Sequence, residues 1–405
     1  MQQELKDLVH RHKEIAREEK EKNGRLVFGT LCSYVPVEIL HAFDILPVRL
    51  WGDGKNHERA DALLPTYICP PARNIMAMGL AGRYDFLDGV IHSYTCDATC
   101  GLFNIWCRNL KPAFSFLLSP PYMNTDEAVA YCMEDFKALI AALEDFSGKQ
   151  YSAERLRKSI DLYDTARERI GAIYRANRNG ATVRYLDLYQ MNLALQVLPI
   201  ERVVPFYDGY LSNIKQLAPR KNGKHRIMIS GSVVSDPDIL ERIEALGGEI
   251  VVDDTCLGYR LVRQRVPPRE DPLSALARYY LDRPPCSSRA DFPARKEYIR
   301  KTISDFDVNA VIFMHQKFCE PHLADHPFLK NVLAEKGIPQ VQLELEGEGL
   351  SGQIQTRLEG FFEMLEAGGW KRRKPGNGSR RTRPSGRSSP ISMRRGTGPR
   401  PKDAP

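Results

Sequence analysis

No run of eighteen or more apolar residues occurs anywhere in the chain, which leaves no candidate transmembrane helix. The N-terminus, Met1-Gln-Gln-Glu-Leu-Lys-Asp-Leu, has neither an apolar h-region nor a small-residue cleavage site, so a cytoplasmic location without membrane attachment is expected. Phosphate-binding loops are missing too. Ile229-Ser230-Gly231-Ser232 lies between a strand pattern and a helix pattern, but it is not Gly-x-Gly-x-x-Gly. No Gly-x-x-x-x-Gly-Lys-Ser/Thr occurs, and the chain is not expected to bind ATP itself. The Gly-x-Ser-x-Gly elbow and the His-Glu-x-x-His helix are likewise absent, which removes the commonest hydrolase signatures. There is no Cys-x-x-Cys pair, and Cys96-x-x-x-Cys100 stands without a nearby pair of histidines, which argues against a zinc ribbon or finger.

The net charge of +7 is also less informative than it looks. Lys371 to Pro405 carries twelve Lys or Arg and one acid, a local +11 that leaves −4 for everything before it. A folded body of that charge offers no general basic face, so nucleic-acid binding by the body is not expected. The tail is rich in Pro, Ser, Gly and Arg and lacks the apolar residues needed to offset ordering entropy, so it is expected to be disordered.

What is present is a chain of 405 residues with 42% apolar content, enough for two ordinary α/β domains or one large one. Met1 to Gly24 shows apolar residues at helical spacing and stops at Asn23-Gly24, which predicts an N-terminal helix over 1–24. Short apolar runs then alternate with helical patterns. Arg25–Thr30, Ile45–Leu50, Leu87–Ile91 and Ala113–Leu118 read as strands, with helices beginning near Pro36, Pro71, Asp97 and Asp126. Ser152 to Gln216 is helical in pattern, broken at Asn179-Gly180 and at Pro199. A second α/β set follows, with strands at Arg226–Ser230, Glu249–Asp253, Ala310–His315 and Gln340–Leu345. Its helices are expected near Pro237–Leu246, Arg295–Ser304, Pro327–Lys336 and Gly352–Leu365. The fold class is therefore α/β, with two parallel-sheet domains of Rossmann-like or flavodoxin-like type over 25–150 and 221–370. A helical connector over 151–220 joins them, and the basic tail follows from 371 to 405. No internal repeat is clear enough to claim.

Nine cysteines in such a chain are the main chemical clue. Their odd number and the lack of a secretion signal argue for buried thiols or metal ligands rather than disulfides. In open parallel sheets ligands collect beyond the carboxyl ends of strands, and several of these thiols fall there. Cys32 follows the first strand and precedes Pro36, and Cys69 stands before Pro70-Pro71. Cys96 opens the helix at Asp97, Cys256 follows the strand Glu249–Asp253, and Cys319 precedes Pro321. A helix N-terminus favours a thiolate, and thiolates from separated loops suit an iron–sulfur cluster. The plain alternative for each is packing, because free cysteine is often a buried filler. Cys132 and Cys286 are left in that role, and Cys107, well inside the helix that Cys96 opens, is read the same way. His315 and His322 flank Cys319 and read as residues behind a ligand or at the surface.

Four stretches, taken in order, resemble the 2-hydroxyacyl-CoA dehydratase and benzoyl-CoA reductase family. They are Gly29-Thr-Leu-Cys-Ser-Tyr-Val-Pro-Val-Glu-Ile-Leu-His-Ala with Leu46-Pro-Val-Arg-Leu; Leu64-Pro-Thr-Tyr-Ile-Cys-Pro-Pro-Ala-Arg73; Leu87-Asp-Gly-Val-Ile-His-Ser-Tyr-Thr-Cys-Asp97; and Phe318-Cys-Glu-Pro-His322 with Thr356-Arg-Leu-Glu-Gly-Phe-Phe-Glu363. The resemblance spans roughly Arg25 to Leu365. It implies a [4Fe–4S] cluster held by Cys69, Cys96 and Cys319, with Cys32 as an uncertain fourth candidate, and a remaining iron site that can meet water, hydroxide or substrate. The implied chemistry is one-electron reduction of an acyl-CoA thioester to a ketyl radical anion. A dehydratase then expels the 2-hydroxyl, whereas a reductase protonates an aromatic ring. An ATP-hydrolysing activator protein with its own cluster supplies the electron, and a homologous subunit is the expected partner. Ser33, Tyr34 and Glu38 are the nearby candidates for hydrogen bonding or proton transfer, although Glu38 also reads as an acid at a helix start. Leu87–Ile91 and Phe318–His322 lean toward the reductase branch, while Ala98-Thr99-Cys100-Gly101 departs from the basic stretch of that branch. Two alternatives stay open: a double-cubane [8Fe–9S] reductase of small molecules, for which Cys32, Cys100 and Cys256 could supply extra thiolates, and a non-catalytic partner subunit.

Overall fold

The computed structural model describes residues 2–52, 58–181, 183–214, 225–234, 236–289, 291–346 and 349–368. The basic tail expected to be disordered lies outside the described residues. Apolar β-branched runs form the strands, and each of the eight pairs only in parallel. The first sheet holds β1 (Leu26–Thr30), β2 (Ile45–Arg49), β3 (Gly89–Ser93) and β4 (Phe114–Leu118) in the order β2-β1-β3-β4. The second holds β5 (His225–Gly231), β6 (Gly248–Asp254), β7 (Ala310–Gln316) and β8 (Gln340–Leu345) in the order β6-β5-β7-β8. The two orders are the same, a repeat of topology that leaves no trace in the residues. In each sheet the chain steps to one side after the first strand and to the other before the third. The crevice between β1 and β3, and that between β5 and β7, are therefore the points where a parallel sheet accepts a ligand.

The expected α/β architecture is thus present, with strand ends displaced by a residue or two. β3 begins at Gly89 rather than Leu87 because Asp88 turns back onto the first strand. Its N–H donates to the Val27 carbonyl at 2.8 Å, and its carboxylate accepts the Val27 N–H at 2.9 Å. The N-terminal segment is two helices, Gln2–His10 and His12–Asn23, parted at Arg11 and closed by Gly24, whose φ of +64° suits a glycine. The connector comprises Ala153–Arg178, Tyr185–Val197 and Ile200–Ile214, broken where Asn179-Gly180 and Pro199 predict.

Three helices differ from expectation, and two of them are set by an aspartate cap. Pro272–Asp282, which the sequence pattern does not predict, begins at Asp271, whose carboxylate accepts from the N–H groups of Leu273 and Ser274. The helix expected at Arg295 starts at Phe292 behind the cap Asp291. The one expected at Pro327 starts at Glu320, directly after Cys319, and runs through Pro327 to Lys336.

Buried apolar residues form two clusters. The larger runs from one face of the first sheet, through the helices Ala153–Arg178 and Tyr185–Val197, to the second sheet. The smaller packs the helices Asp126–Ser147 and Pro272–Asp282 on the opposite face of the first sheet. Among the described residues no helix is long and apolar enough to cross a membrane.

Gly231 ends β5 and is held by the close approach of β7, because an added Cβ would lie 2.0 Å from the Met314 carbonyl oxygen. A Gly231→Ala change is expected to lower stability by about 1–3 kcal/mol, seen as a reduced urea midpoint at constant m-value. Gly360→Ala, in a helix with open space around the position, should be neutral or stabilising by roughly 0.5–1 kcal/mol.

Candidate metal-cluster site

Six cysteines line one cavity of about 110 Å³ beyond the carboxyl ends of the two sheets: Cys32, Cys69, Cys96, Cys256, Cys286 and Cys319. On a scale of roughly 10–15 Å³ per water molecule the space exceeds what a single ion requires. Cys32 follows β1, Cys69 lies on the β2 side and Cys96 follows β3. From the second sheet, Cys256 follows β6 and Cys319 follows β7.

Three of these thiols share a geometry. Cys69 caps the helix Pro70–Leu80, Cys96 caps Asp97–Leu110 and Cys319 caps Glu320–Lys336. The N-cap position lies beside the unpaired N–H groups of the first turn, although none of the three thiols makes a side-chain capping hydrogen bond in the described geometry. In each case the backbone N–H three residues on, of Ala72, Thr99 or His322, favours the thiolate. Burial opposes this and prevails. It raises the Cys69 thiol above its ordinary range, Cys96 to about 11 and Cys319 to about 12. Mutual repulsion adds to the rise, because Cys96 feels Cys69 and Cys32 while Cys319 feels Cys69 and Cys96. These three side chains therefore face one another, and each would bind a cation only with loss of its proton.

Hydroxyl and imidazole groups stand around the thiols. Cys32 Sγ lies 3.2 Å from Thr95 Oγ1, and Cys96 Sγ lies 3.2 Å from Thr99 Oγ1. Cys319 Sγ is 3.4 Å from Nδ1 of His322, a buried ring whose Nε2 has no hydrogen-bond partner among the described residues. Burial holds the His322 pKa down near 4, so the ring is neutral at ordinary pH. Phe318 adopts φ +62°, a costly conformation for a bulky residue, and this turns the chain sharply from β7 into the Cys319 cap.

The second-sheet wall rests on a buried ionic network. Arg260 pairs with Asp254 at 3.0 Å, Asp254 with Arg295 at 2.7 Å, and Arg295 with Asp325 at 2.7 Å. Cys286 draws a hydrogen bond from Cys256, and its thiolate is favoured further by the Arg260 charge, so it is pulled well below its ordinary range. The sequence reads Cys286 as filler, and nothing in Arg283-Pro-Pro-Cys-Ser-Ser-Arg289, which follows no strand, signals its position on the cavity. Arg283 closes the other side. It donates to the Ser33 carbonyl at 2.6 Å and stacks on Tyr34 at 5.0 Å.

The remaining candidates lie as follows. Ser33 and Tyr34 line the cavity. Glu38 does not. It is fully buried, accepts from the Tyr280 hydroxyl at 2.8 Å and is ion-paired with Arg167. Cys100 lies along the helix Asp97–Leu110 near Asn104, Cys107 packs against the larger core, and Cys132 is inside the smaller one. Among the described residues, no group of three His, Cys, Asp or Glu closes on a single ion. Capped thiols spaced around a larger void fit a thiolate-held cluster better than a tetrahedral zinc ion.

Comparison with known proteins gives the family. A family model described as 2-hydroxyglutaryl-CoA dehydratase, D-component, matches residues 32–365. The chain belongs to this family. A benzoyl-CoA reductase subunit of Thauera aromatica is 28% identical, across 85% of this chain and 91% of its own length. The (R)-phenyllactyl-CoA dehydratase beta subunit of Clostridium sporogenes is 26% identical across 89% and 98%. The (R)-2-hydroxyglutaryl-CoA dehydratase subunit beta of Acidaminococcus fermentans is 25% identical across 84% and 93%. The match includes every cysteine of the cavity, since Cys32 opens it and Cys319 lies before its end.

Within this family member, Glu38 is a structural anchor between the first helix after β1 and the connector. Glu38→Ala leaves the Arg167 charge without its nearest partner and is expected to cost about 3–5 kcal/mol in chemical denaturation. Thiol counting on the still-folded fraction should be unchanged.

Proposed function

We propose that this chain is the iron–sulfur subunit of a cytoplasmic enzyme of the 2-hydroxyacyl-CoA dehydratase and benzoyl-CoA reductase type, in which Cys69, Cys96 and Cys319 hold a [4Fe–4S] cluster. The observation that carries the reading is the convergence of three helix-capping thiols, distant in sequence, on one cavity. When bound, the cluster would supply a low-potential electron and an iron corner able to polarise a thioester carbonyl. Cys32, beside Thr95, is the own-chain thiol nearest in role to a fourth ligand.

The chain's own residues prepare that chemistry. Helix N-termini stabilise the three sulfur anions. Apolar neighbours such as Leu31, Leu50 and Ile75 keep water out of the cavity wall. His322 is neutral and can donate or accept at Nε2. Ser33 offers a hydroxyl at the same cavity. The substrate class is an acyl-CoA thioester, the electron donor is an ATP-hydrolysing activator protein, and a homologous subunit completes the enzyme. Support for a multi-subunit enzyme comes from the relatives, each of which is named as one subunit of its enzyme.

One observation favours a second reading. Cys256 and Cys286 add two further thiols to the same cavity, more than one cubane needs, as a double-cubane reductase would require. Cys100, offered for that role by sequence, does not line it.

Anaerobic iron–sulfide reconstitution tests both. The expected product is brown, with about four irons per chain, and about eight would favour the double cubane. Cys69→Ala, Cys96→Ala and Cys319→Ala should each lose the cluster and turnover with activator, ATP and acyl-CoA. Cys132→Ala, in the core, should keep its iron at some cost in stability. A colourless wild-type protein would refute the cluster.

A further inference from the structure

Arg49 ends β2, and its side chain enters the wall of the thiol cavity. The residue is 9% exposed, and among the described residues both Nε and Nη1 lack a hydrogen-bond partner. Other buried arginines close by are accounted for. Arg260 and Arg295 meet Asp254, Arg167 meets Glu38 and Asp164, and Arg283 stacks on Tyr34. Arg49 has no acid: among the described residues it forms no ion pair. The groups that sense its charge are Cys256, from the second sheet, and His92 on the first sheet's strand β3. His92 is no counter-ion. It is fully buried, and desolvation together with the Arg49 charge keeps it neutral.

A buried guanidinium without an anion is strongly disfavoured, because buried charges are normally paired. The cavity that Arg49 lines also carries the three capping thiols, which become anions when they bind iron. Three thiolates around a cubane core leave a net negative charge, and this increases by one on reduction. We propose that Arg49 is the counter-charge of the cluster held by Cys69, Cys96 and Cys319, and that its positive charge sets the cluster's reduction potential upward. The inference rests on the cluster reading given under Proposed function. Arg49 is a positioning residue in this role, since it acts through the cluster and not on the thioester.

The test uses the full chain reconstituted anaerobically as wild type, Arg49→Gln and Arg49→Lys, with the reduced-cluster EPR signal followed in a potentiometric titration. At a fixed applied potential Arg49→Gln should show a tenfold or greater fall in the ratio of reduced to oxidised cluster, equivalent to a midpoint about 59 mV lower for each tenfold. Arg49→Lys, which keeps the charge, should move the midpoint less. Urea unfolding of the iron-free proteins gives a second readout, in which Arg49→Gln should be at least as stable as wild type because it removes an unpaired buried charge. An unchanged midpoint in a fully loaded Arg49→Gln protein overturns the inference. So does loss of the cluster from both variants alike with matching loss of iron-free stability, which would assign Arg49 to packing. A wild-type chain that takes up no iron fails before any variant is compared, and removes the cluster reading and this inference together.

Discussion

Burial of charge is the constraint on which this molecule turns. A thiolate in a buried cavity wall is disfavoured by desolvation, and at Cys69, Cys96 and Cys319 the groups that oppose this are backbone N–H and hydroxyl groups rather than salt bridges. Each of Cys69, Cys96 and Cys319 occupies a helix cap, where N–H groups without intrahelical partners point outward. The iron-free thiols still rise well above their ordinary range, so the caps alone do not stabilise three anions. A bound cation would supply the favourable contribution that the caps lack.

Parallel topology explains why the caps converge. In each sheet the loops after adjacent central strands leave in opposite directions and open a crevice at their carboxyl ends. Cys32 and Cys96 flank the crevice of the first sheet, and Ser232 and Cys319 flank that of the second. The cavity is where these two crevices meet. Its rim is fixed by contacts that cross between the halves: Arg283 to the Ser33 carbonyl, Tyr280 to Val35 and Glu38, and the connector's Arg167 to Glu38.

Much of this is legible in the residues. Alternation of apolar runs with helix starts locates all eight strands, because strands buried on both faces read as continuous apolar segments bounded by turns. Cys96 before Asp97, Cys69 before Pro70-Pro71 and Cys319 before Pro321 place thiols at helix entries, since proline near the first turn is a local signal. Other features depend on tertiary structure. Cys286 lies in a loop with no periodicity, and only the fold brings it to Cys256. Glu38 sits one residue into a helix that follows a candidate ligand, as a proton-transfer group could, yet its partners come from residues far along the chain. Arg49 looks like the polar end of a strand, and that no acid among the described residues pairs with it is visible only in the fold. The repeated sheet order escapes detection because topology constrains strand order, not side-chain identity.

Division of the thiols between the two halves has a thermodynamic consequence. Cys69 and Cys96 come from the first sheet's loops and Cys319 from the second's, so a ligand that bridged all three would tie the loops of the two sheets together. Binding free energy would then add directly to the stability of the folded chain. Without the ligand, the interface holds three protonated thiols, a neutral imidazole with a free nitrogen and an unpaired guanidinium. The apolar and ionic contacts at the rim must outweigh these. An interface built with unsatisfied polar groups at its centre and satisfied ones at its edge is preorganised for a ligand, because the edge fixes the distances while the centre is left to be completed.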